Sequence, residues 1–283
     1  MLRYRLAVLL AVLVAAPVMA DQHPDEIERV FTRLYNFDFQ GAHRILDTYV
    51  SSNASDPIAY SVRAAVHLFY ELDRLGILES EFFTDDRRLI SKTGSKPDAH
   101  IRTRFYDALK EAQDRAASEL GAKPGDPNAL MAMCMAQGLL LDYVALVEKK
   151  HLGSLPHVKR SNGCAQRLLE LHPQVHDAYV TTGFTEYLVG SLPFYVRWVV
   201  RFKDVKGSKE DAIRNLETAA RSGRYLKPFA KILLAVIHLR ERRPQESASL
   251  LAELARDYPE NPLIRKELAK ISARLSTDTL QVQ

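Results

Sequence analysis

Cysteine is nearly missing from this chain. Cys134 and Cys164 are the only two in 283 residues, which excludes a disulfide framework as the source of stability. Cys-x-x-Cys and the haem-attachment run are absent with it. So are Gly-x-Ser-x-Gly, His-Glu-x-x-His, Gly-x-x-x-x-Gly-Lys-Ser/Thr and Gly-x-Gly-x-x-Gly, the short motifs that carry hydrolytic, zinc-dependent or nucleotide chemistry. No stretch shows sustained strand alternation. An excess of one charge is missing too. With 39 Lys and Arg against 35 Asp and Glu, there is no dense basic face of the kind a nucleic acid requires. Beyond the first 20 residues no run reads as long and apolar enough to span a membrane. Tryptophan occurs once, as Trp198.

What is present starts with a targeting pattern. Arg3 and Arg5 precede an unbroken apolar run from Leu6 to Ala16, and Val18-Met19-Ala20 places small residues where a signal peptidase reads. Polar Asp21 follows. This is the layout of a secretory signal peptide, residues 1–20, leaving a mature chain of 21–283. The apolar run is short against the roughly 20 residues of a membrane span, with an uncleaved anchor as the alternative. Export permits a disulfide between Cys134 and Cys164. Cys134 lies in "LMAMCMAQG", where cysteine equally serves as a small buried residue.

The mature chain reads as helical nearly throughout. Alanine, leucine, glutamate and arginine dominate, with apolar residues recurring at three and four. Asp56-Pro57, Pro124-Gly125-Asp126-Pro127, His172-Pro173 and Pro259-Glu260-Asn261-Pro262 punctuate it. Asp or Asn before proline starts a helix well, since the side chain caps free amides and proline fits the first turn. Between these breaks a pattern repeats. In "KILLAVIHLRERRPQESASLLAELARDYP" (231–259), Lys231, Leu234, Ala235 and His238 are followed by Ser247, Leu251 and Pro259. The preceding unit has Tyr179, Gly183 and Gly190, then Ala212, Leu216 and Ala219. Weaker copies come earlier: Gly41-Ala42 with Leu46, "DPIAYSVRAAVHLFYELDRLG" with "RFYDALKEAQDRAASEL", and "DPNALMAMCMAQGLLLDYVAL" with "SNGCAQRLLELHP". On these residues the chain resembles the tetratricopeptide-repeat superfamily over most of its mature length, specifically from Tyr179 to Pro259. The resemblance implies an all-α, right-handed solenoid of antiparallel helix pairs that binds proteins or peptides and has no catalytic residues. About five pairs are expected, with a closing helix at Asn261 to Leu275.

The departures from the repeat point to function. The last unit separates its two small residues, Ala235 and Ser247, by 12 positions. Ala64 to Ala112, Gly138 to Ser161 and Gly183 to Ala212 are longer. All three inserts fall between the helices of one pair and are expected at one edge of the stack, where solenoids often bind. One insert contains "GSLPFYVRWVVRFK" (190–203). As a helix it sets Phe194, Trp198 and Phe202 on one face, with Tyr195 and Val199 beside them and Arg197 and Arg201 as a stripe. Three readings stand open: a helix buried against the stack, a partner contact rich in hot-spot residue types, and a membrane-surface element. The partner-binding candidates are Phe194, Tyr195, Arg197, Trp198 and Arg201. Another insert carries Glu79, Glu81, Asp85 and Asp86, then Arg87 and Arg88. It reads as a solvated loop whose acids suit the Arg197/Arg201 stripe, and its spacing matches no calcium loop.

The first helices are unusually apolar. Phe229, Ile232, Val236 and Leu239 are expected to face inward, in a groove either closed tightly or open to an apolar guest. His172 and His176 have metal-ligand spacing, but Pro173 puts them in a turn. Cys164 has nothing near it in sequence to activate it as a nucleophile. The expectation is an exported, non-catalytic scaffold or adaptor without cofactor or metal. It binds a protein partner in the periplasm, as a secreted protein or at a membrane surface. The alternative is a carrier of an apolar small molecule or lipid.

Overall fold

The caps foreseen at the Asp-Pro and Asn-Pro steps set the helix starts. Asp56 accepts the Ile58 amide at 3.1 Å, Asp126 those of Asn128 and Ala129 at 3.0 Å, and Asn261 those of Leu263 and Ile264 at 2.9 and 3.0 Å. The structure, a computed structural model, describes residues 25–79, 96–191 and 208–281. Eleven α-helices and no strand occur among them. They are α1 (Glu26–Tyr35), α2 (Phe39–Ser52), α3 (Pro57–Arg74), α4 (Ala99–Ala122), α5 (Pro127–Asp142), α6 (His151–Leu171), α7 (Ala178–Ser191), α8 (Lys209–Ser222), α9 (Lys227–Arg240), α10 (Pro244–Asp257) and α11 (Pro262–Gln281). Each packs on its sequence neighbour, giving five adjacent pairs and a last helix. This is an all-α, solenoid-like stack. The last helix starts where expected but runs six residues past Leu275, because nothing between Ser276 and Gln281 breaks it.

The repeat is written in the turns as well as in the side chains. Where the first helix of a pair ends, one residue takes a left-handed conformation: Phe37 (φ 63°), Gly76 (φ 67°), Lys149 (φ 53°) and Arg242 (φ 59°). The next amide closes back on the helix, as Asp38 N–H to Arg33 O, Ile77 N–H to Leu72 O, Lys150 N–H to Val144 O and Arg243 N–H to His238 O. This is a helix cap that satisfies carbonyls left free at a C-terminus. Where the second helix of a pair ends, another turn recurs. The amides of Asp56, Asp126, Val175 and Asn261 bond to the carbonyls three residues back, at Asn53, Lys123, His172 and Tyr258. So the two turn types alternate through the first three pairs and return in the last, while α8 ends differently, with the Gly223 amide on Ala219 O.

Small residues set the crossings within pairs. Ala64, Ala112 and Ser247 are fully buried and Ala235 nearly so. A Cβ added to Gly183 would stand 2.9 Å from Ala212 O and 3.0 Å from Leu216 Cγ, so α7 and α8 meet at that glycine. A Cβ on Gly138 would stand 3.6 Å from Ser161 Oγ, which fixes the α5–α6 crossing.

Two expectations are corrected. The insert between Gly138 and Ser161 does not leave the stack as a loop. It lengthens the pair instead, as α5 runs into a π-helical turn, Tyr143–Val147, and α6 starts at His151. The second concerns membrane spans. Pro127–Val147 is 21 residues with a mean hydropathy of 1.8, long and apolar enough to cross a membrane by length and composition. Here it is a core helix. Ala129 to Ala132, Cys134 to Ala136, Leu139 and Tyr143 are buried, against α3, α4 and α6.

The stack coils until its ends meet. Phe31 of α1 stacks on Tyr225, before α9, with ring centroids 5.3 Å apart, and Phe69 of α3 meets Phe229 of α9 at 5.8 Å. Phe229 is thus half-buried against the core of the first helices. Ile232 and Leu239 pack on the cluster of Ala235, Leu251, Leu254, Ile264 and Ile271, and Val236 is half-buried.

Candidate partner-binding edge

The ends of the first helices and the starts of their partners share one edge. Three glutamates organise it, one at the base of each insert. Glu71, on α3, is fully buried. It receives Arg74 Nε at 2.8 Å and Nη2 at 2.9 Å, and the backbone amide of Asp98 at 2.8 Å. Arg74 also donates to Lys96 O at 2.7 Å. The departing and returning ends of the first insert are thus clamped on one carboxylate. A buried charge demands this, since both oxygens must be satisfied to offset lost hydration.

Glu148 closes the π-helical turn. It accepts the Tyr106 hydroxyl at 3.1 Å and pairs with Lys150 at 2.8 Å and Arg102 at 3.3 Å. Burial alone would raise its carboxyl, but the Lys150 and Tyr106 bonds and the Arg102 charge hold it below its usual range. Beneath it, Tyr143 stacks flat on Phe105 at 4.4 Å and edge-on to Tyr106 at 5.4 Å. This ties the middle pair to α4. Half-buried Asp142, next to the π turn, is pushed up to about 7 by burial. A π turn is a costly irregularity that often marks a functional position.

Glu241, just past α9, serves the insert that holds the aromatic-basic stretch. Tyr187 donates to its Oε1 at 3.0 Å and Lys209 Nζ reaches the same oxygen at 2.6 Å. Lys209 holds its carboxyl below the usual range. Tyr187 precedes the insert and Lys209 follows it, so both flanks are pinned to the next pair.

Phe194, Tyr195, Arg197, Trp198 and Arg201 lie outside the described residues, as do Phe202, Glu81, Asp85, Asp86, Arg87 and Arg88. Glu79 is described, and it pairs with Lys266 of α11 at 2.6 Å. His172 and His176 sit in the turn foreseen for them. The His172 Nε2 is 2.6 Å from Gly125 O, and His176 stacks on Tyr179. The three glutamates were not singled out in the sequence. The available signal was an acid at the end of an apolar helix beside an insert, with a basic residue two or three positions on for Glu71 and Glu148.

No protein-family model matches the chain, and no curated protein is significantly similar to it.

Proposed function

We propose that the protein is an exported, non-catalytic, tetratricopeptide-like scaffold that binds another protein through its insert edge. The contacts are Phe194, Tyr195, Arg197, Trp198 and Arg201. One observation carries the reading: both long inserts spring from bases held rigid by a glutamate hub, Glu71 for one and Glu241 for the other. A stack that commits carboxylates to its insert bases, Glu71 fully buried and Glu241 half-buried, is built to present those inserts, and presentation from a preorganised frame lowers the ordering cost of binding. The recurrent turns and small-residue crossings support the tetratricopeptide-like assignment. Export rests on the N-terminal pattern of Arg3, Arg5 and the Leu6–Ala16 run. The carrier reading has less behind it, because Phe229 is engaged by Phe69 and its neighbours by α10 and α11.

Trp198 is the only tryptophan, so its fluorescence reports on this insert alone. Red-shifted emission quenched by iodide is expected of an exposed contact surface. A pull-down from periplasmic extract should then recover a partner with wild type and lose it with Trp198→Ala, and liposomes should not compete. Blue-shifted, unquenched emission means the insert is packed into the stack and the proposed contact surface is wrong. Lipid carried through purification, found by mass spectrometry, would favour the carrier instead.

A further inference from the structure

We infer that Cys134 and Cys164 form a modification site, an intramolecular disulfide that staples α5 to α6 across the middle insert. The register of the pair brings them together. α5 and α6 are antiparallel and cross where Gly138 meets Ser161. Cys134 lies one helical turn before that glycine, and Cys164 lies three residues after that serine. The two therefore face one another one step along the interface. Cys134 belongs to the buried core cluster, and Cys164 packs against that same cluster. A disulfide needs Cα atoms within about 7 Å, and small residues at the crossing hold the helices close.

Environment divides the roles. Cys134 is buried, and the neighbouring Cys164 thiol, together with burial, raises its own thiol. Cys164 is half-buried, and the neighbouring Cys134 lowers its thiol. Cys164 is thus the accessible sulfur that meets an oxidant first. The oxidant is a disulfide, small-molecule or protein. The Cys164 thiolate, its proton gone to solvent, attacks one sulfur of that disulfide and expels the other as a thiolate. Cys134 then gives up its proton and attacks the Cys164 sulfur of the mixed disulfide, expelling the second thiolate. The protein loses two protons and two electrons, and the oxidant is reduced to two thiols. Both cysteines are free in the structure described, which is the reduced form of the site. The loop so closed holds the π turn and Glu148, so oxidation stiffens the middle of the insert edge.

The test uses the full purified chain, incubated with oxidised glutathione and then denatured and alkylated. The expected product is a monomer lighter by two hydrogens, with both cysteines in one cross-linked tryptic peptide. Its melting temperature should rise by several degrees and fall back on reduction. Cys134→Ser should instead accumulate a glutathione adduct on Cys164, and Cys164→Ser should stay unmodified, with circular dichroism checking that both variants fold. Two alkylatable thiols in oxidised wild type, a stable glutathione adduct on wild type, or a dimer linked between chains would each overturn the inference.

Discussion

At the residue scale, two titratable groups, buried His67 and half-buried Asp142, bend the stability curve in opposite directions. His67 of α3 is buried and packs against His43 of α2, ring centroids 4.4 Å apart. Burial, then the charges of His43, Arg104, Arg63 and His100, lowers its imidazole to about 3. The unfolded chain titrates near 6.5, so below that pH the unfolded state binds the extra proton and stability falls, by about 1 kcal/mol per pH unit. His67→Gln should flatten this acid limb in urea melts between pH 6.5 and 4, and an unchanged slope would refute the assignment. Asp142 works the other way. Its folded carboxyl titrates near 7 and its unfolded one near 4, so the folded state keeps the proton longer and stability falls as pH rises through that window. Asp142→Asn should stabilise the protein at pH 7.5 by about 1–2 kcal/mol and change little at pH 4. Equal gains at both values would mean that something other than ionisation is being relieved. Neither group was legible in the sequence. A histidine or an aspartate in an apolar helix looks the same whether it faces water, a partner charge or nothing, and that is settled only when distant helices pack.

At the element scale, the sequence was far more informative, because close helix crossings demand small side chains and spacing records them. Gly183 and Ala212 were paired from spacing alone, and a Cβ on Gly183 does run into the Ala212 backbone. Gly138 and Ser161 were paired in the same way and touch with room to spare. The two glycines should therefore part company on substitution. Gly183→Ala forces α7 and α8 apart and should cost about 1–3 kcal/mol. Gly138→Ala meets only an ordinary contact and should gain up to about 1 kcal/mol from helix propensity. Thermal melts of the two variants check the contrast, and equal losses would mean the crossings are alike. The left-handed turns, by comparison, were invisible. Only Gly76 advertises its conformation; Phe37, Lys149 and Arg242 adopt it without glycine because the cap hydrogen bonds and the stack impose it. That strain is removable. Arg242→Gly should stabilise the α9–α10 pair by about 1 kcal/mol, visible as a higher urea midpoint with unchanged slope. A loss would mean that the Arg242 side chain has a role beyond its backbone. The inserts stayed least legible, since length shows that residues are extra but not whether they loop out or, as at the π turn, extend the helices already there.

At the scale of the whole molecule, the governing feature is the seam where the stack meets itself. An open solenoid has only nearest-neighbour contacts and frays from its ends. Here the ends are tied. Arg224 reaches Glu28 at 2.5 Å and Asp25 at 2.6 Å, Tyr35 donates to Tyr225 O at 3.1 Å, and Asn261 donates to the buried carbonyl of Tyr35 at 2.7 Å. Asp177 fixes the strap that carries these groups by accepting the amides of Arg224, Tyr225 and Leu226. Closure therefore supplies α1 and α11 with partners from the far end of the chain, and both should fray less than the ends of an open solenoid. Tyr225 is the side chain on which this turns, since its ring stacks on Phe31 and its hydroxyl donates to Asp25 at 3.2 Å. Tyr225→Ala leaves the backbone strap in place but removes the ring, and should cost about 2–3 kcal/mol. The loss should be local. Native-state hydrogen exchange should speed up in α1 and α11 while α4 to α6 keep their protection. Uniform loss of protection across all eleven helices would mean that the seam and the core are one cooperative unit. No change in α1 would mean that its packing on α2 and α3 suffices, and that closure adds nothing to stability.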